Sequence, residues 1–108
     1  MTGGLSDHDI HSIVCMINTF PEVLEAKIFG SRAKGDFKAG SDIDIALFLG
    51  EGELQNRTKM VNELHDRLEE ELALPYFFDL VDYESIINEA LKEHINRVGI
   101  IIYKKHDV

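Results

Sequence analysis

Apolar residues recur at two periods along this chain, and the switches between them mark its elements. Ile10, Ile13, Val14 and Ile17 fall on one face at helical spacing. Ser6 stands where it can cap the first turn, Asp9 follows three residues on, and Pro21 ends the pattern. A helix over residues 6–19 is predicted. The period then drops to two: Leu24, Ala26 and Ile28 alternate with Glu25 and Lys27, predicting a strand over 23–29 that stops at Gly30-Ser31. A short helical turn over 31–34 follows, closed by Gly35. A second strand is predicted over 42–49, with Ile43, Ile45, Leu47 and Leu49 on one face and Asp42, Asp44, Ala46 and Phe48 on the other. Gly50-Glu51-Gly52 breaks it. Val61, Leu64, Leu68 and Leu72 give a helix over 53–72 its apolar stripe, with Glu63, Asp66, Glu69 and Glu70 on the wet side. Pro75 opens a third strand over 76–81. Asp82 is placed to cap a last helix from Tyr83 to about Arg97, with Ile86, Ile87, Ala90, Leu91 and Ile95 inward. Gly99 leads into a β-branched strand over 100–103, and the polar tail from Lys104 to Val108 is expected to fray.

The resulting order is α-β-β-α-β-α-β. The loop between the first two strands is too short for a parallel crossover helix. These features predict an α+β fold: a mixed sheet of about four strands, helices mainly on one face, and the loop ends of strands one, two and three meeting at one rim. At 108 residues, one domain spanning 1–108 is expected.

Composition narrows the function classes. A hydrophobic fraction of 44% argues against disorder, and no apolar run reaches the roughly 18 residues of a membrane span. Met1-Thr2-Gly3-Gly4-Leu5 lacks the basic and apolar regions of a signal peptide. Cys15 is the sole cysteine, which excludes an intramolecular disulfide, favours a cytoplasmic setting, and is expected to serve packing inside the first helix. A net charge of −9 opposes broad nucleic-acid binding. It leaves room for a small anionic ligand if a divalent metal reverses the local sign. The five histidines are scattered without zinc-like spacing, and His11, His65 and His94 are expected on solvated helix faces. The run Glu69-Glu70-Glu71 is read as a solvated face, with a partner-docking patch as the other reading.

The chemistry concentrates between residues 28 and 48. Gly30-Ser31 ends a strand and opens a helical turn, a place where backbone N–H groups approach a phosphate, and Lys34 adds a cation. It is not a Walker A loop, since Asp36-Phe37 stands where Lys-Ser/Thr is required. Alone, it is only a turn. Asp42 and Asp44 change its meaning. Two apart on a strand, they point the same way at roughly 6–7 Å. Such carboxylates repel, and one pKa should rise unless a cation lies between them. Mg²⁺ suits such oxygens and keeps substrate phosphates among its ligands. Asp79, inside the apolar run Phe77-Phe78-Asp79-Leu80-Val81, is the candidate third carboxylate. Asp82 projects to the opposite face.

Gly30-Ser31-Arg32-Ala33-Lys34-Gly35, then Ser41-Asp42-Ile43-Asp44, then a distant Asp79, resembles the nucleotidyltransferase superfamily that includes DNA polymerase beta. The chain looks like its smallest branch, the minimal nucleotidyltransferases, over about Pro21 to Tyr103. The resemblance implies that Gly30, Ser31 and Lys34 bind the phosphates of ATP. It implies that Asp42 and Asp44 hold two Mg²⁺ ions, with Asp79 as a ligand that helps deprotonate the acceptor hydroxyl. Arg32 faces either the triphosphate or solvent, and Ser41 caps the loop. The reaction implied is in-line attack on the α-phosphorus with loss of pyrophosphate. Such minimal domains are paired with a small helical HEPN protein in toxin–antitoxin systems, the antitoxin transferring AMP to a toxin tyrosine. A HEPN partner is therefore expected, in a homo- or hetero-oligomer. Two alternatives stay open: a vestigial site on an antitoxin that neutralises by binding alone, and a transferase for a small hydroxylated molecule.

Overall fold

The computed structural model describes residues 2–105. Strand β1 (Glu25–Phe29) pairs antiparallel with β2 (Ile43–Phe48). Strand β3 (Phe78–Asp82) adds parallel to the free side of β2, and β4 (Ile100–Lys104) antiparallel to the free side of β1. The sheet is mixed, with strand order β3-β2-β1-β4.

The period-two pattern explains how it is covered. Ile43, Ile45 and Leu47 of β2 and Ala26 and Ile28 of β1 are fully buried on one face. There they meet Ile13 and Ile17 of α1 (Asp7–Asn18) and Met60, Leu64 and Leu68 of α3 (Leu54–Glu71). Each large side chain so buried contributes about 1.5–3 kcal/mol. The alternate residues face the other way, where Phe29 and Ala46 pack against Ile95 of α4 (Glu89–Val98). The two long helices thus share one face. The shorter α4 covers part of the opposite face and leaves the rim with Asp42 and Asp44 uncovered. Ser6 caps α1 by accepting from Asp9 N at 3.1 Å.

Several local expectations are corrected. The last helix does not start at Asp82. A 3₁₀ turn (Tyr83–Ser85) comes first, the chain extends through Ile86, and Asn88 caps α4 by accepting from Leu91 N at 3.1 Å. Ile87, expected inward, is 94% exposed. Asp82 instead accepts from Arg57 Nε at 2.8 Å and from Ser85 Oγ at 2.9 Å. Cys15 is exposed rather than packed, its Sγ 3.4 Å from His11 Nε2. His65 and Glu69 are not on a free solvated face: His65 Nε2 lies 2.9 Å from Phe78 O, and Glu69 accepts from Phe78 N at 2.8 Å. Glu70 and Glu71 are exposed as expected. Lys104 belongs to β4, and Lys105 N donates to Leu24 O at 2.8 Å, so these two residues do not fray. The rest of that predicted tail, residues 106–108, lies outside the described residues.

Candidate active site

Sheet register assembles the acidic rim. Asp44 pairs across to Phe29 on one side and to Asp79 on the other, so the three stand level on three adjacent strands. Phe78 and Leu80 pack into the core, which turns Asp79 to the opposite face, the one Asp44 occupies. Asp42, two residues before Asp44, shares that face and is exposed, as is Asp79. The strand backbone continues the ladder one step past β3, with Ile43 N donating to Phe77 O at 2.9 Å.

The five-residue helix α2 (Gly30–Lys34) starts where β1 ends, beside Asp44. Gly30 is required there twice over. Its φ is +73°, and a Cβ on it would lie 2.2 Å from Asp44 Oδ2. Gly35 ends α2 in the left-handed region at φ 86°. Lys34 is half exposed at the rim and 3.5 Å from the exposed Asp36 carboxylate. Ser31 is half-buried.

Arg32 takes neither of its two expected positions. It is 3% exposed. Its guanidinium donates to Ser41 O (Nη2 at 2.7 Å, Nε at 3.2 Å) and to Gly3 O (Nη1 at 2.9 Å). It lies between the Phe37 ring, 5.2 Å from the centroid, and the Tyr76 ring, at 4.8 Å. The side chain therefore ties the Gly30–Ser31 turn to the loop that delivers Asp42. Ser41 Oγ accepts from Lys38 N at 2.8 Å, the loop-capping role expected of it. The N-terminal turn completes this anchor. Thr2 and Leu5 exchange backbone hydrogen bonds of 3.1 and 2.9 Å, Leu5 is fully buried, and a Cβ on Gly4 would collide with the Phe37 ring.

The electrostatics follow from this crowding. The Asp44 carboxyl is raised above its ordinary value of 3.8, first by burial, then by the negative charges of Asp79 and Asp42; Arg32 works against the rise. One carboxyl of the pair does rise, as the sequence predicts, and Asp79 contributes more than Asp42. The donor set suits Mg²⁺: hard oxygen atoms, mutual repulsion that a cation relieves, and two exposed members open to further ligands. It is a half-site rather than a cage. Among the described residues no group of three His, Cys, Asp or Glu converges into a ready metal-binding cluster. An Mg²⁺ ion here would need substrate oxygens and water to complete its shell, as is usual for that ion.

Sequence reading misses one participant. His94, half-buried on α4, accepts the Gly30 N–H on Nε2 at 2.9 Å and sets its ring edgewise to Phe29, 6.1 Å between centroids. This corrects its expected place on a solvated face. No one-dimensional signal links residues 64 positions apart. The burial of Arg32 between Phe37 and Tyr76 likewise depends on contacts that only the fold creates.

The fold has known counterparts. The Polymerase beta, Nucleotidyltransferase family matches residues 11–108. No curated protein matches the sequence. Among solved structures, the toxin–antitoxin MntA–HepT superposes with a TM-score of 0.61 at 20% identity, over 93% of this chain and 74% of that one. A toxin–antitoxin with AMP-PNP gives 0.61 at 22% identity, over 94% and 75%. The complex of tri-AMPylated Shewanella oneidensis HEPN toxin with MNT antitoxin gives 0.61 at 19%, over 94% and 74%. At these identities the likeness establishes the shared fold. With its family match running from α1 to the end of the sequence and covering the turn and all three aspartates, the chain belongs to the polymerase beta nucleotidyltransferase family.

Proposed function

We propose that this protein is a Mg²⁺-dependent adenylyltransferase and the antitoxin of a two-component system, transferring AMP from ATP to a tyrosine hydroxyl of a HEPN-family toxin. The observation that carries this reading is the register of Asp44 beside Asp79, with Asp42 on the same face and the Gly30–Ser31 turn at the end of the adjacent strand. The neighbouring folds include one solved with AMP-PNP and one in complex with a tri-AMPylated HEPN toxin, which supports an adenine nucleotide as donor and a HEPN protein as acceptor. The single cysteine, exposed and unpaired in any disulfide, fits a reducing cytoplasm.

Each residue has work suited to its position. Ser31 and the α2 backbone bind the triphosphate tail, and half-exposed Lys34 adds charge to that end. Asp42, Asp44 and Asp79 would hold Mg²⁺, which when bound supplies charge neutralisation across the triphosphate. Asp79, exposed on the edge strand, is the carboxylate open to an incoming hydroxyl and takes its proton. The new bond joins the acceptor oxygen to the α-phosphorus. The bond from that phosphorus to the bridging oxygen breaks, and pyrophosphate leaves. Incubation with α-labelled ATP, Mg²⁺ and a purified HEPN-family partner encoded beside this chain should label the partner, and Asp42→Asn with Asp44→Asn should abolish it. No label with a functional partner sinks the reading. A double variant that still neutralises the toxin fully would assign protection to binding alone.

A further inference from the structure

Gly30 lies between two side chains that act on it from opposite elements. On one side its missing Cβ makes room for the Asp44 carboxylate. On the other its N–H is already used, donating to His94 Nε2 on α4. An imidazole accepts a hydrogen bond only through an unprotonated nitrogen. This amide is the first of α2, the one that a strand-to-helix phosphate turn ordinarily aims at its ligand. In this protein it points at a histidine.

We propose that His94 is a positioning residue of the nucleotide site: it holds Gly30, and with it the phosphate turn, at the distance from Asp44 that productive nucleotide binding needs. The proposal rests on the adenylyltransferase reading and deepens it. Two consequences follow. Gly30 contributes space and conformation rather than an amide donor, so phosphate contacts fall to Ser31 and the later amides of α2. And α4, otherwise a cover for Phe29 and Ala46, becomes a structural part of the site, because its only half-buried imidazole fixes the strand-to-helix turn.

The test compares His94→Phe, which keeps a ring against Phe29 but offers no acceptor, with His94→Gln, whose amide oxygen reaches the place of Nε2. Binding of ATP with Mg²⁺ is measured by calorimetry, and exchange of the Gly30 amide with solvent by NMR, on the full chain. His94→Phe should bind Mg·ATP roughly tenfold more weakly, the scale of one lost hydrogen bond, and lose protection at Gly30. His94→Gln should recover most of both. In transfer assays the loss should appear in KM for ATP more than in kcat. If His94→Phe binds Mg·ATP like the parent protein, or if His94→Gln is as impaired as His94→Phe, the positioning role is wrong. If the parent protein itself does not bind Mg·ATP, the adenylyltransferase reading fails and takes this inference with it. A failure confined to the variants leaves that reading standing.

Discussion

At the scale of single residues, the site holds charge that folding does not favour. Asp44 is held half-buried beside two other carboxylates, and its raised pKa fixes the sign of the effect. The folded protein binds that proton more tightly than the unfolded chain. Stability from this group is therefore greatest below the ordinary value of 3.8 and declines as pH rises through the raised folded value. Asp44→Asn should consequently raise the melting temperature of the metal-free protein at neutral pH, measured in chelator, while abolishing transfer. A lower melting temperature would mean that Asp44 makes stabilising contacts that outweigh its repulsion. Much at this scale was legible in the sequence: the Asp-x-Asp spacing, the glycine before the serine, and an aspartate amid aromatic and aliphatic neighbours. Arg32 was not. A basic residue in a phosphate turn reads as a ligand, and only the fold shows its guanidinium spent on Ser41 O and Gly3 O.

At the scale of elements, the first two strands and the two long helices were legible because each carries a sustained period, and β3 and β4 because short apolar runs follow Pro75 and Gly99. The fourth helix kept its core residue, Ile95, but lost its first turn, since Ile86 and Ile87 imitate a helical face while Asn88 is the true cap. Asp82 was legible as a cap only by position. What holds it is long-range: Arg57 of α3 donates to Asp82, to Glu84 and to Gly50 O, tying α3 to the exits of β2 and β3. Burial alone would raise the Asp82 carboxyl, but hydrogen bonds from Arg57 and Ser85 hold it below 3.8. Its contribution is then fully present above the ordinary carboxylate value and is lost as pH falls through the lowered one. The Arg57 and Asp82 side chains are 12% and 13% exposed. Arg57→Met should therefore cost about 2 kcal/mol, between the values for surface and fully buried pairs. Denaturant titrations at neutral pH and near pH 3 check this: the deficit should shrink in acid. A deficit that stays constant with pH would assign the loss to packing of the Arg57 stem.

At the scale of the whole molecule, the proposed function requires a chain of net charge −9 to bind a polyanion. The cations near the turn are few. Arg32 is buried on backbone carbonyls, and the charge of half-exposed Lys34 is offset in part by Asp36 at 3.5 Å. The three rim aspartates add repulsion where, on the proposed function, the triphosphate would approach. ATP alone should thus bind poorly, and Mg²⁺ should be what makes the two surfaces compatible. A ligand present at a hundred times its Kd stabilises the folded state by about 2.7 kcal/mol. For a domain of this size that corresponds to a melting shift on the order of 10 °C. Melting curves with ATP alone, Mg²⁺ alone and both together should show a small shift, a small shift and a large one. Asp42→Asn with Asp44→Asn should remove the cooperativity between ATP and metal, because the repulsion and the ligands that answer it vanish together. A full shift from ATP without metal would place the nucleotide away from the rim and on the backbone turn alone.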